Sequence, residues 1–413
     1  MSTDRQPEKK SIRQYIRDLQ VLDYRLIVSI VALFMFGLIM IYSAGGSGGA
    51  GLLKRQALIG TGGLVGMVLF SYVDYHKLVS LSGAFYLLSI LSLFLVRVPG
   101  LGKAANGAAR WIVIGGQQFQ PAELVKPAII LLTAFLVSEI NRKLRYIRAD
   151  LFVLAPGLLA VALILKITSN LSTAAIVGII VFAMFFAAHP NKKVWIWVLV
   201  LLAAGAAFFI MFYRFYVVPT VAMTVNGTVP ADSSFRAGRI LAWLYPDVYR
   251  QTAMQSRYAL YAIGFGGMFG RGLGHGIMKY FIPEPENDFI FAVIGEELGF
   301  LGCCMLIFMF IYQIWRILVI ARHASDMLGS YVAFGAAVHV SVQVLLNIGV
   351  ATSMLPNTGI SLPYVSYGGS ALLLQMLEMG IVLNVSRQIP GKRVLDEGGA
   401  GRTGLRMGRS RAA

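Results

Sequence analysis

Long apolar runs separated by short polar connections dominate the chain. Ten runs stand out, at 26–43, 57–73, 78–98, 123–140, 151–167, 172–188, 194–213, 289–321, 328–354 and 370–386. They approach or exceed the ~20 residues with which a helix crosses the ~30 Å hydrocarbon core of a bilayer. In lipid every backbone polar group must be satisfied within the protein, so such runs fold as helices. The expected fold is an all-α integral membrane protein of about ten transmembrane helices.

The polar connections orient those helices. Residues 1–25 carry Arg5, Lys9, Lys10, Arg13, Arg17 and Arg25 ahead of an apolar run too long for a cleaved signal core. A basic leader stays in the cytoplasm, and alternation then puts Arg142, Lys143, Arg145 and Arg148, next Lys192 and Lys193, and next Arg322 on the same side. The opposite connections at 168–171 and 357–367 carry no charge. Both termini are therefore expected in the cytoplasm, flanking a membrane domain over 26–386. A large outer loop at 214–288 separates spans 7 and 8. The basic tail at 387–413, rich in Gly and Arg, reads as cytoplasmic, without fixed structure and suited to anionic membrane lipid.

Composition narrows the function classes. The chain is 57% hydrophobic and only 13% charged, too little charge to cover a soluble domain of 413 residues. Its net charge of +17 sits mostly in the short connections, so it reports topology and no nucleic-acid partner is expected. Cys303 and Cys304 are adjacent within an apolar run and read as small apolar residues. The five histidines, His76, His189, His275, His323 and His339, lack the spacing of a metal site on one helix.

Candidate chemistry gathers in the outer segments. The stretch 100–120 holds Lys103 and Arg110, with Arg110-Trp111 placed as an interfacial anchor. The large loop holds Arg236, Arg239, Gln251, Gln255 and Ser256, then a glycine-dense run at 264–274, and ends at Asp288. Basic residues retained outside are suited to meeting an anion. Asp288 is equally suited to capping the helix that begins at Phe289. Projected at 100° per residue, Gly295, Gly299 and Gly302 return to within ~40° of its face, leaving a smooth surface for a neighbouring helix or an acyl chain. Glu296 and Glu297 lie inside the apolar run, where carboxylates need partners; at least one is expected to pair with Lys or Arg. Glu123 and Lys126, three residues apart, are placed to interact on one helix face.

Several ordered segments resemble the SEDS family (shape, elongation, division and sporulation). They are Asn106-Gly107-Ala108-Ala109-Arg110-Trp111, Gln120-Pro121-Ala122-Glu123 with Lys126, Gln251 with Gln255-Ser256, and Asn287-Asp288-Phe289-Ile290-Phe291 followed by Gly295-Glu296-Glu297-Leu298-Gly299. A further one is the run from Thr358 to Ser370 that includes Ser366-Tyr367. The resemblance implies a ten-span enzyme of the bacterial cytoplasmic (inner) membrane. It would polymerise lipid II into peptidoglycan glycan strands, with an undecaprenyl pyrophosphate leaving group, beside a class B penicillin-binding protein. Such an enzyme builds wall for cell division, cell shape or sporulation. The residue matching Asp288 is the family's essential acid. Where relatives often have Glu/Gln-Pro-Asp/Asn-Leu, this chain has Thr168-Ser169-Asn170-Leu171, so the form of that turn is open.

On this basis Asp288 either accepts the proton of the acceptor hydroxyl or holds a divalent cation, Mg2+ or Mn2+. A carboxylate at a helix N-terminus is favoured as the anion, which argues for low basicity. Arg110, Glu123, Lys126, Arg236, Arg239, Gln251, Gln255, Ser256, Ser366 and Tyr367 are the substrate-binding candidates. A lipid-linked precursor carrier, with Glu296, Glu297 and Glu378 as relay groups, is the rival reading, and a non-catalytic scaffold is a third.

Overall fold

A computed structural model describes residues 22–105, 108–114, 117–140, 147–212 and 235–389. The expected N-terminal arm through residue 21, the first part of the large loop at 213–234 and the tail from 390 lie outside the described residues. The helices are α1 Tyr24–Ala44, α2 Gly49–Phe70, α3 Tyr75–Ser80, α4 Ser82–Leu95, α5 Pro121–Ile140, α6 Ile147–Leu163 and α7 Leu171–Ala188. They continue with α8 Lys192–Phe212, α9 Phe235–Leu244, α10 Arg250–Gly266, α11 Ile290–His323, α12 Met327–Ala351 and α13 Gly369–Arg387. Among the described residues, six helices are long and apolar enough to cross a membrane: Tyr24–Ala44, Arg148–Thr168, Leu171–Ala188, Ile290–His323, Met327–Ala351 and Gly369–Arg387.

Local chemistry sets several helix starts. Asp23 accepts from the Leu26 amide at 3.1 Å and Asp326 from the Gly329 amide at 2.8 Å, each satisfying a donor that a helix leaves orphaned. Asp23 also pairs with buried Arg316 of α11, which ties the two helices together. The turn lacking the family proline reverses at Ser169, which takes φ +53°, and Asn170 then caps α7 by accepting from Thr173 at 3.1 Å. Ahead of it α6 widens into a π-helical turn, Ile164–Thr168.

The all-α expectation is corrected by a small antiparallel sheet. Strands β1 Gly102–Ala105, β2 Ala108–Ile114 and β3 Gln117–Phe119 pair in that order, with Gly102 opposite Ile112 and Ile112 opposite Phe119. Such short strands carry little periodic signal. The Asn106-Gly107 pair between β1 and β2 is nonetheless the sequence signature of a two-residue hairpin.

Packing is inverted relative to a soluble protein. One apolar core runs through α1, α5, α7, α11, α12 and α13, with Leu26, Ile130, Ile180, Phe310, Val340 and Met376 all essentially inaccessible. A second joins α4, α5, α6 and α7 through Leu93, Val125, Ala160 and Val177. Helices α5 and α7 serve both, so the two cores form one bundle. Large apolar side chains such as Leu58, Leu88, Phe308 and Leu345 are exposed on its flanks, while Glu123, Lys126, Glu296, Glu297, Gln343 and Asn347 are buried. That distribution suits a hydrocarbon solvent.

Candidate functional site

Asp288 sits at one end of the bundle, where the segment entering α11 meets the loop at 352–368 between α12 and α13. Side chains from many helices fasten that loop. Ser172 of α7 donates to the Thr358 carbonyl, and Arg239 of α9 donates to the Asn357 carbonyl at 3.2 Å. Gln255 of α10 accepts from the Asn357 side-chain Nδ2 at 2.9 Å, and Trp243 of α9 donates to the Ser353 carbonyl at 2.9 Å. From α12, Gln343 donates to the Ser361 carbonyl at 3.0 Å and Asn347 to the Ile360 carbonyl at 2.6 Å. Gln56 of α2 donates to the Ser366 carbonyl at 3.1 Å. The Tyr367 amide donates to the Glu286 carbonyl at 2.9 Å, and Asn347 also donates to the Asp288 carbonyl at 2.9 Å. A connection so densely bonded is part of the scaffold.

The loop comes closest to the carboxylate at Gly359. Its φ of +69° favours glycine, and a Cβ there would lie 3.3 Å from Asp288 Oδ2 and 3.8 Å from Arg239 Nη1. Acid and guanidinium thus converge on the same point of backbone. Beside them Arg110, Ser169, Leu171, Ser172, Arg239, Asn357 and Thr358 line a small cavity of about 30 Å³. That volume takes a water or two, so a sugar or a diphosphate enters only if the surrounding segments separate. Arg110 reaches it from β2 and donates to the Ser169 carbonyl at 3.2 Å.

The electrostatics of this corner are specific. Burial pushes Asp288 up to about 6; the positive charge of Arg239 opposes the rise, Glu284 adds to it, and Arg110 opposes it again. Arg239 is pressed below its usual value by burial and by the like charge of Arg110, with Asp288 pulling the other way. An anion between the two guanidiniums relieves their repulsion. The expected N-cap is corrected: α11 begins at Ile290 with Phe289 in the cap position and no side-chain cap bond. Burial is the largest influence on the acidity of Asp288 and raises its pKa, as a base requires.

Other candidates take other places. Glu123 and Lys126 form the expected pair at 2.6 Å, almost fully buried, and Lys126 continues to Gln343 Oε1 at 3.3 Å. Gln343 also accepts from Gln375 of α13 at 3.0 Å. The pair is thus linked to the site through Gln343 of α12. Ser366 is 3% exposed and accepts from the Leu362 amide at 2.7 Å, which closes a turn; it does not line the cavity. Tyr367 contributes its backbone, Gln251 is exposed on α10 and Ser256 is half-buried one turn later. Arg236 lies on α9, but its side chain falls outside the described residues.

The expected pairing of the intramembrane acids holds, with partners from the glycine-dense loop. Glu297 accepts from Lys279 Nζ at 2.8 Å, from the Ser43 hydroxyl at 2.6 Å and from the Gly274 amide at 3.0 Å. Glu296 accepts from the Ile277 and Met278 amides at 2.7 and 3.1 Å, with Arg271 at 3.9 Å. The glycine face also has a definite occupant. A Cβ on Gly266 would lie 1.8 Å from the Gly295 carbonyl, and Gly299 breaks the helix at φ +67° against Met268–Gly270. The loop and the end of α10 fill the surface offered to an acyl chain. Sequence reasoning passed over Gln343, Asn347, Asn357 and Lys279. For Gln343 and Asn347, side-chain amides four residues apart within a largely apolar α12 were the available signal.

Fold and site together define a multi-pass membrane protein carrying a half-buried carboxylate beside paired guanidiniums at one end of its helix bundle. The chain belongs to the FtsW/RodA/SpoVE family of cell cycle proteins, whose profile it matches over residues 24–390. It is 32% identical over 388 residues to the probable peptidoglycan glycosyltransferase FtsW of Geobacter metallireducens, covering 91% of this chain and 97% of that one. It is 34% identical over 375 residues to stage V sporulation protein E of Bacillus subtilis, covering 88% and 97%. Among solved structures it resembles a chain of a peptidoglycan synthase complex that coordinates polymerization and crosslinking, with a TM-score of 0.70, 28% identity and coverage of 90% and 99%. The rod shape determining protein RodA of Thermus thermophilus is similar too, with a TM-score of 0.61, 26% identity and coverage of 89% and 98%.

Proposed function

We infer that the chain is a peptidoglycan glycosyltransferase in which Asp288 is the general base. The observation that carries this is a carboxylate raised to about 6 by burial and set against two arginines, beside a cavity that Arg110 and Arg239 line. A sugar hydroxyl is a poor nucleophile until its proton is taken, and a base works best with a pKa near the working pH. The acceptor hydroxyl of lipid-linked glycan gives its proton to an Asp288 carboxylate oxygen as its oxygen bonds to the donor's anomeric carbon. The bond from that carbon to the undecaprenyl diphosphate breaks. Arg110 and Arg239 receive the negative charge that develops on the leaving diphosphate.

A divalent cation fits these residues poorly. Asp288 faces two guanidiniums, and no group of three His, Cys, Asp or Glu able to hold a metal ion occurs among the described residues. Mg2+ or Mn2+ would be held mainly by the diphosphate. No step is assigned to it. Against the carrier reading, Glu296 and Glu297 are bonded to the loop and serve its folding, which leaves Glu378, paired with His339 at 2.8 Å, as the one remaining relay candidate of the three.

The proposed arrangement has ten spans, adding α2, α4, α5 and α8 to the six apolar ones, with both termini cytoplasmic and the site outside. The membrane is the bacterial inner membrane, and a class B penicillin-binding protein is the crosslinking partner; the relative solved within a synthase complex supports this. The test is polymerisation of fluorescent lipid II by the full-length chain, with and without that transpeptidase. Asp288→Asn and Asp288→Ala are expected to keep lipid II binding and elution volume and to make no polymer. Wild-type polymer from either variant refutes the base.

A further inference from the structure

We infer that Asn347 is a positioning residue that sets the Asp288 carboxylate against the 358–362 segment, a role that rests on Asp288 being the base. Its side-chain nitrogen donates to two carbonyls at once, Asp288 at 2.9 Å and Ile360 at 2.6 Å. One amide therefore joins the two strands of backbone whose atoms make the site. One turn earlier Gln343 holds the next carbonyl, Ser361, at 3.0 Å. Residues four apart share a helix face, so the two amides act as a ladder along α12.

Three features separate this from ordinary packing. The α11 ladder starts at the Phe289 carbonyl, so the Asp288 carbonyl lies just outside it and is held by Asn347. Asn347 is fully buried, yet among the described residues its Oδ1 has no hydrogen-bond partner. A desolvated, unpaired oxygen is a cost that an apolar side chain of similar size avoids, so stability alone does not account for an Asn here. The ladder also leads elsewhere, because Gln343 accepts from Lys126, itself paired with Glu123. That buried ion pair is thereby mechanically joined to the carboxylate through α12.

Loss of the donor lets Asp288 drift from the Gly359–Arg239 corner. Misplacement of a reacting group by ~1 Å costs up to about 100-fold in rate. The test compares the full-length wild type, Asn347→Leu, Asn347→Ala and Asp288→Asn with fluorescent lipid II across pH 5 to 8, with its class B transpeptidase present throughout. Asn347→Ala removes the donor without adding charge or bulk, so it serves if the Leu variant does not fold. The expected result is a kcat at least tenfold lower, an apparent KM for lipid II within twofold, and an acid limb moved to lower pH as Asp288 relaxes toward water. A folded variant with wild-type kcat and limb, in an assay where Asp288→Asn is inactive, overturns the inference. So does a common fall of kcat, KM and melting temperature with the limb unmoved. Activity in Asp288→Asn instead refutes the base, and the role of Asn347 falls with it.

Discussion

Replacing Lys279 by Met isolates the contact that folds the glycine-dense loop onto α11. Lys279 and Glu297 are 4% and 0% exposed and 2.8 Å apart. At that separation, with an effective dielectric near 20, their attraction is roughly 6 kcal/mol before desolvation. Removing one partner of a buried pair typically costs about 3–5 kcal/mol, because the survivor stays charged and dry. Glu297 would keep the Ser43 hydroxyl and the Gly274 amide, so the lower half of that range is expected. In detergent, tryptophan-fluorescence melting should drop by on the order of 10 °C. The double variant Lys279→Met with Glu297→Gln should regain most of the loss, since no buried charge is stranded. Amide exchange should accelerate at Gly274. A single variant within about 1 kcal/mol of wild type, or a double variant no better than the single, would refute the reasoning.

Three further outcomes follow from the geometry. Arg239→Gln removes the largest charge that lowers Asp288, so the acid limb of the polymerisation rate, expected near pH 6 in the wild type, should move to higher pH; an unmoved limb contradicts the coupling. Gly266→Ala drives a methyl into the Gly295 carbonyl and should separate α10 from α11 at a cost of about 3 kcal/mol, read as a lower melting temperature. His76 bridges Asp74 and Asp326 at 2.8 Å each; burial lowers its pKa, but the two hydrogen bonds more than offset this and leave it above 6.5. Its contribution is full below pH 6.5 and is lost as pH rises through the folded value, whereas that of Asp74 and Asp326, both lowered, is lost in acid below about 3.8. The melting temperatures of wild type and His76→Ala should therefore converge as pH rises above 6.5.

The spans were legible because a bilayer imposes a length and a polarity that one chain must display by itself. Helices α1, α5, α7, α12 and α13 begin and end within a few residues of the apolar runs. Breaks inside a run were not legible. The 78–98 run divides at Leu81 between α3 and α4, and α11 breaks at Gly299, where the Met268–Gly270 backbone occupies the space a straight helix would take. The sheet was missed for a related reason, its strands being too short for alternation to outweigh a loop reading.

For the site, residue types and order were enough to single out Asp288, Arg110 and Arg239 as chemistry held in outer segments. The Glu123–Lys126 pair was likewise readable, since i and i+3 on a helix are neighbours whatever surrounds them. Only tertiary structure decided what each group does. It withdrew Asp288 from helix capping, buried it until desolvation outweighed its arginines, and turned Ser366 inward. It also brought Asn347 to Asp288 across 59 residues of sequence. Periodicity and local charge act over a few residues and are written in the chain itself. Burial, field and orientation depend on segments that meet only when the bundle closes.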